Sequence, residues 1–196
     1  MQKFTQLTAV AAPLAIANID TDMVIPAKYM QALTRNGLGK HLFQEMRYHD
    51  DGTDRADFIL NSEACRKARI LIADRNFGCG SSREHAVWAL TDFGIACVIA
   101  PSFGDIFSNN ARKNGLLLIR LADDLCERLR AEMALSQYAP ITVDLEAQQI
   151  RLASGEIIPF DIDPDDRHTL MEGLDDITRT LRHEAAITDY EARALI

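Results

Sequence analysis

Between Asn76 and Leu90 the chain reads NFGCGSSREHAVWAL, which sets glycines, a thiol, two hydroxyls, a guanidinium and an imidazole within ten positions. Gly78 and Gly80 lack a Cβ, so the backbone there can turn left-handed and lie close to a ligand. Ser81-Ser82-Arg83-Glu84 places a candidate capping serine at a helix start, with acidic Glu84 in the first turn. A helix N-terminus presents unpaired N–H groups and about half a positive charge, which suits an anion. Arg83 adds a planar fork that matches a carboxylate. Chemistry of this kind points to an acid or phosphate ligand.

Other chemistries fit less well. Gly78-Cys-Gly-Ser-Ser-Arg83 has arginine where the dinucleotide fingerprint needs its third glycine. The G-K-[ST] of a P-loop and the G-x-S-x-G elbow are absent from the sequence. Cys79 could be a thiol nucleophile activated at a helix N-terminus, or simply a small residue in a tight turn. His85 could be a base, or a hydrogen-bonded core or interface histidine.

A second polar stretch lies upstream. Asn18 to Pro26, NIDTDMVIP, holds Asp20, Thr21 and Asp22 in three positions. Such residues commonly bond their own backbone in turns, so a purely structural reading of them competes with a catalytic one.

These stretches need a frame. Arg69-Ile70-Leu71-Ile72-Ala73 is short and branched enough for a buried strand. Ala86, Leu90 and Phe93 then recur at helical spacing, so the motif spans strand, loop and helix. Ile95 to Ala100 and Leu116 to Ile119 are two more buried strands. Between them Ser102 could cap a helix to Asn114 with Ile106 and Ala111 facing inward, ended by Gly115. Ala122 to Ser136 is a further helix, with Leu125, Leu129 and Met133 on one face. Strands alternating with helices predict a parallel α/β core.

Toward the N-terminus, residues 4 to 16 read as a strand with a break. Pro26 can open a short helix through Tyr29 to Leu33. Thr34 to Gly39 has two glycines and a positive charge and reads as a mobile loop, and His41 to Tyr48 as a short helix. Asn61 or Ser62 is a candidate cap for a helical turn before the strand at 69 to 73. Beyond Ser136 the pattern changes: segments 141–145, 149–152 and 157–160 alternate apolar with polar residues around Ser154-Gly155, as in a small antiparallel element. From Asp163 the chain turns helical, with Leu170, Leu174, Ile177 and Leu181 spaced as one stripe. A single domain over 1–196, with 163–196 its helical C-terminal tail, is the simplest organisation.

Composition limits the partners. At 196 residues, 47% hydrophobic and net charge −8, the chain suits one full core and lacks the basic surface of a nucleic-acid or anionic-membrane binder. No apolar run approaches a membrane span. Lys3 and the small, apolar run from Leu7 to Ala17 imitate a targeting signal, yet Pro13 interrupts the run, so the cytoplasm is expected. Cys65, Cys79, Cys97 and Cys126 lie 14, 18 and 29 positions apart without a C-x-x-C pair. That spacing argues against a disulfide framework and against a metal or iron–sulfur site built within this chain.

NFGCGSSREHAVWAL, with NIDTDMVIP before it and IAPSFGDIF after it, closely resembles the small subunits of the 3-isopropylmalate dehydratases, the leucine-pathway branch of the aconitase family. The resemblance extends over nearly the whole chain, through RNGLGKHLF at 35–43, DLEAQ at 144–148 and the segment from Arg167 to Leu181. It implies a swivelling β/β/α domain, like the mobile fourth domain of aconitase, as a separate polypeptide. It also implies a hydro-lyase active only as a heterodimer with its large subunit, which carries the [4Fe–4S] cluster. The reaction implied interconverts 2-isopropylmalate and 3-isopropylmalate through isopropylmaleate. By motif position Ser81 would be the general base, and Ser82 and Arg83 would hold a substrate carboxylate. Asp22 would join the catalytic network, with Thr21 on the substrate side and Asp20 in support. Substrate choice would lie in the loop after Tyr29, through Leu33 or Leu38, with Arg35 serving substrate, gate or interface. A methyl-substituted malate remains open as substrate, as does a freestanding carboxylic-acid-binding module.

Overall fold

The computed structural model of the chain describes residues 1–31 and 34–194. The elements run β1 (Gln6–Ala9), β2 (Ala11–Leu14), α1 (Thr21–Val24), α2 (Gln44–Arg47), β3 (Ile70–Ala73), α3 (Glu84–Phe93), β4 (Cys97–Ala100), α4 (Asp105–Asn114), β5 (Leu117–Arg120) and α5 (Asp123–Leu135). There follow β6 (Ile141–Asp144), β7 (Gln149–Arg151), β8 (Ile157–Pro159), α6 (Pro164–Glu172), α7 (Asp176–Leu181) and α8 (Glu184–Ala194).

The expected break in the first strand falls at Val10, and its two halves join different sheets. β2, β3, β4 and β5 form a parallel sheet in that order, with Ala12 opposite Leu71 and Leu71 opposite Val98. β1 instead pairs antiparallel with β6, Leu7 opposite Val143, and so completes a second four-stranded sheet, β1-β6-β7-β8. The antiparallel part is therefore as large as the parallel one. Its fourth strand comes from the other end of the chain, where no local pattern could announce it.

Alternation along the parallel strands gives that sheet two buried faces. Leu71, Ala73, Val98 and Ala100 pack against Ala86, Val87 and Leu90 of α3 and Phe107 and Ala111 of α4. Ile19, Val24, Leu42, Phe43 and Leu60, from the long connection between β2 and β3, extend this layer. On the opposite face Ile70, Ile72, Cys97, Ile99 and Ile119 meet Leu129 and Met133 of α5 and Val143, Ile150 and Ile158 of the antiparallel sheet. The result is a β/β/α layering.

Several expectations need correction. Phe107, 2% exposed, faces the core in α4, whereas Ile106 is 46% exposed. Both are apolar neighbours on a short helix, and the larger ring fills the space beside Phe77 in an edge-on contact at 5.4 Å. The stripe expected beyond Asp163 stops at Leu174. Gly173 adopts φ +66 and ends α6, leaving Ile177 73% exposed and Leu181 57% exposed. α6 itself is held by the chain start, since Phe4 N–H donates to Leu170 O and the Met1 ammonium to Gly173 O. Among the described residues no helix is long and apolar enough to cross a membrane.

Candidate active site

The polar motifs gather beyond the C-terminal ends of β2, β3 and β4, where ligands of open parallel sheets characteristically bind. Segment 76–80 is threaded between two neighbours. On one side Gly78 N–H donates to Ile19 O at 2.7 Å and Thr21 N–H to Cys79 O at 3.0 Å. On the other Phe77 N–H donates to Ser102 O at 3.0 Å and Gly104 N–H to Phe77 O at 2.9 Å. Asn18 and Asn76 both take left-handed backbones, which asparagine tolerates, and their side chains bond each other at 2.9 Å. Sheet-like pairing thus continues past the strands and fixes the glycine loop.

The three polar residues of NIDTD divide the work. Asp20 accepts from Met23 N–H at 2.7 Å and caps the single turn of α1, so the turn chemistry read from the sequence belongs to this residue. Thr21 is 1% exposed and donates its hydroxyl to Ser81 O at 3.1 Å, tying the two motifs together. Asp22 pairs with Arg83, 61 positions away. The Arg83 side chain is 14% exposed and that of Asp22 49%, so the guanidinium is set into the protein and its partner faces outward.

Ser81 and Ser82 are exposed, and neither caps α3. Arg83 takes the extended cap position, at φ −129 and ψ 105, without a side-chain bond, and the helix begins at Glu84. Arg83 itself therefore puts no side-chain acceptor on the first turn of α3, which follows directly on the two serines. Glu84 turns away to accept from Asn114 Nδ2 at 2.8 Å, and Asn114 Oδ1 accepts from Trp88 Nε1 at 3.0 Å, which locks α3 to α4. Ser102 does not cap α4 either. Its hydroxyl accepts from Asn76 N–H at 2.8 Å, and Gly104 takes the cap because a Cβ there would lie 2.5 Å from Gly78 O.

In the loop after Tyr29, Leu33 lies outside the described residues. Arg35 places its guanidinium over the Trp88 ring at 5.3 Å. Leu38 is 4% exposed and packs in the core. The glycines that suggested mobility are fastened: Gly37 and Gly39 N–H both donate to Asp92. Gly39 serves close approach, since a Cβ there would lie 2.5 Å from Phe93 N. Asp92 and Trp88 were missed in the sequence. A carboxylate in the last turn of a helix opposes the helix dipole, and that anomaly was the available signal.

Cys79 is half-buried and its thiol donates to Asn18 O at 3.6 Å, while His85 packs on Trp88 at 4.6 Å between ring centres. Cys65, Cys97 and Cys126 are buried, and burial raises all three thiols, Cys126 to about 11. Among the described residues no three His, Cys, Asp or Glu side chains gather to hold a metal, so this chain's donors do not fit an iron–sulfur cluster.

Beyond Pro26, His41 stacks on Tyr29 at 3.7 Å, and its Nδ1 lies 2.8 Å from Gln44 Oε1. Burial, with the Lys40 and Lys28 charges behind it, holds the imidazole below its ordinary 6.5 against the raising effect of Gln44. The unfolded chain then binds more protons below that value. Stability present above it is lost as pH falls through the folded pKa. His41→Phe keeps the stacked ring and removes the titration. Urea midpoints are therefore expected to fall less between pH 7.5 and 5.5 in the variant than in the wild type, and equal losses would show that His41 contributes nothing to the acid sensitivity.

A family model described as the aconitase C-terminal domain matches residues 1–124, and a second, described as LeuD_N, matches residues 127–164. The chain is 55% identical over 193 residues to the 3-isopropylmalate dehydratase small subunit of Gluconobacter oxydans, covering 98% of this chain and 93% of that one. The corresponding small subunit of Rhodospirillum centenum is 56% identical, with 98% and 95% covered. The crystal structure of 3-isopropylmalate dehydratase (leuD) from Methanocaldococcus jannaschii superposes with a TM-score of 0.67 over 94% of this chain and 99% of that one, at 23% identity, and so shares the fold. With relatives this similar along nearly its full length, the chain belongs to the 3-isopropylmalate dehydratase small-subunit family, built on the aconitase C-terminal domain.

Proposed function

We propose that the chain works as the small subunit of a 3-isopropylmalate dehydratase, in the cytoplasm, interconverting 2-isopropylmalate and 3-isopropylmalate through isopropylmaleate on the way to leucine. The observation that carries this reading is the joining of the two motifs at the sheet edge, with Arg83 paired to Asp22 beside exposed Ser81. In this reading the [4Fe–4S] cluster belongs to a larger partner chain and the site lies between the two; that no group of His, Cys, Asp and Glu side chains among the described residues could hold a metal supports it.

Within this chain, Arg83 and Ser82 take a substrate carboxylate. The guanidinium then exchanges its bond to Asp22 for paired bonds to substrate. Ser81 Oγ removes the proton from one substrate carbon as the hydroxyl leaves the neighbouring carbon with its bonding pair. On rehydration hydroxyl and proton return to the exchanged carbons. The iron of the partner's cluster would supply the Lewis acid that receives the hydroxyl. Asp22, freed from Arg83, joins the polar network at the mouth of the site. Thr21 keeps the Ser81 backbone in register, and Arg35 lines the entrance above Trp88.

The test is isomerisation of 2-isopropylmalate under anaerobic conditions by this chain alone, by a cluster-loaded large subunit alone, and by the two mixed. Turnover only in the mixture is expected. A complex that turns over a methyl-substituted malate in preference moves the assignment to that substrate, and no complex with an active partner leaves an acid-binding module.

A further inference from the structure

We infer that the cavity between α4, β5 and the chain running from β8 into α6 binds a small zwitterion with an aliphatic side chain, an α-amino acid of valine or leucine size, and that its occupancy steadies the glycine loop. The cavity lies along β5, the edge strand of the parallel sheet, outside the site described above. Its volume is about 180 Å³. An apolar cavity of about 150 Å³ already holds a six-carbon ring, so there is room here for roughly six to nine non-hydrogen atoms.

The lining selects the chemistry. Phe103, Leu116 and Leu170, all buried, make an apolar floor with half-buried Leu118 and Ile162. Of the charged groups, Arg112 Nε lies 3.3 Å from Asp166 Oδ1, and Asp163 accepts from the Asp165 and Asp166 amides as the cap of α6, so these three are committed. Arg120, the last residue of β5, and Asp161, which follows β8, are exposed at the rim of the same cavity. Neither makes a hydrogen bond or ion pair among the described residues. One uncommitted cation and one uncommitted anion above an aliphatic floor match a ligand with both charges at one end and an apolar group at the other. A dicarboxylate would meet Asp161 as a like charge, and a simple amine would meet Arg120 in the same way. Phe103 also connects the cavity to the active site. On either side of it Ser102 O accepts from Phe77 N–H and Gly104 N–H donates to Phe77 O, so the residue that floors the cavity pairs with the loop ahead of Ser81.

NMR shift titrations of the full chain test this with L-leucine, with 4-methylpentanoate, which lacks the ammonium, with 3-methylbutylamine, which lacks the carboxylate, and with glycine, which lacks the side chain. Leucine is expected to bind with a Kd of about 1 mM or tighter, and each of the other three about fivefold or more weakly. Arg120→Ala should weaken leucine and 4-methylpentanoate about fivefold and leave the amine within about twofold, and Asp161→Asn should do the converse. Leu118→Phe, which puts a ring into the cavity, should weaken every branched probe. With leucine at about ten times its Kd, exchange of the Phe77 and Gly104 amides should slow about tenfold, with the turn at 49–53 unchanged. Absence of leucine binding overturns the site, as does equal affinity for all four probes or binding indifferent to both rim variants. Unchanged exchange at Phe77 and Gly104 with the cavity filled overturns the link to the glycine loop. These readouts involve neither the large subunit nor a malate, so their failure and the failure of the proposed function are separate results.

Discussion

Replacing Ser81 by alanine is expected to lower kcat of the mixed enzyme by at least about 10²–10⁴-fold, the range for losing a general acid–base group. The KM for 2-isopropylmalate and the affinity for the large subunit should each change less than about threefold. The separation follows from the surroundings. Ser81 is exposed, and it is its backbone carbonyl, which alanine keeps, that accepts the Thr21 hydroxyl. Its side chain makes no hydrogen bond among the described residues, so the fold loses nothing beyond about 0.5 kcal/mol. In the proposed mechanism, what alanine removes is the proton acceptor alone. A serine hydroxyl in water is far too weak an acid to supply an alkoxide. In the proposed mechanism the oxyanion would depend on the N-terminal turn of α3, on the Arg83 guanidinium and on closure of the site by the partner. For the same reason the chain alone should be inert. Ser82→Ala serves as the comparison, since it removes a carboxylate contact and should act mainly on KM. Normal kcat in Ser81→Ala would remove this residue from the chemistry.

The strand, glycine loop and helix from Ile70 to Phe93 were legible because each signal there is local. A branched apolar run, glycines at positions requiring positive φ, and apolar residues at helical spacing all lie within one window. The assignment of β1 to the antiparallel sheet was not legible, since its partner β6 lies at the other end of the sequence and alternation on a four-residue strand fits either sheet. Serines at a helix start read as caps by type. The structure gives that position to Arg83, whose extended backbone delays the helix by one residue and leaves both hydroxyls outward. The site was legible as residue types, not as contacts. Asp22 and Arg83 each looked functional, but their pairing depends on the ladder that Ile19, Gly78 and Cys79 build between segments far apart in sequence. Two glycines between Asn36 and Lys40 carry the same letters whether they permit motion or close approach. The neighbour that decides, Asp92, is 53 residues away from Gly39.

Gly78→Ala is expected to be the most damaging single substitution in the glycine loop for stability, and Gly80→Ala beside it much milder. Both glycines hold left-handed backbones, at φ +72 and +87, so each alanine carries the strain of that region, about 1–2 kcal/mol. They differ in the space a methyl would enter. At Gly80 the nearest atom is Asp20 Cβ at 3.4 Å, an ordinary contact. At Gly78 the methyl would lie 2.3 Å from the Phe107 ring. That ring is 2% exposed and already packed edge-on against Phe77, so it cannot swing aside without opening the layer between α4 and the parallel sheet. Overpacking of this kind costs about 1–3 kcal/mol further, which brings Gly78→Ala to about 2–5 kcal/mol in all. Urea unfolding of the isolated chain measures the difference directly, with a clear drop in midpoint for Gly78→Ala and a small one for Gly80→Ala. Phe107→Leu combined with Gly78→Ala should recover part of the loss if the ring is the obstacle, because the two changes then share one cavity and are not additive. Equal midpoints for the two glycine variants would mean that Phe107 yields freely, and that backbone strain alone sets the requirement for glycine at both positions.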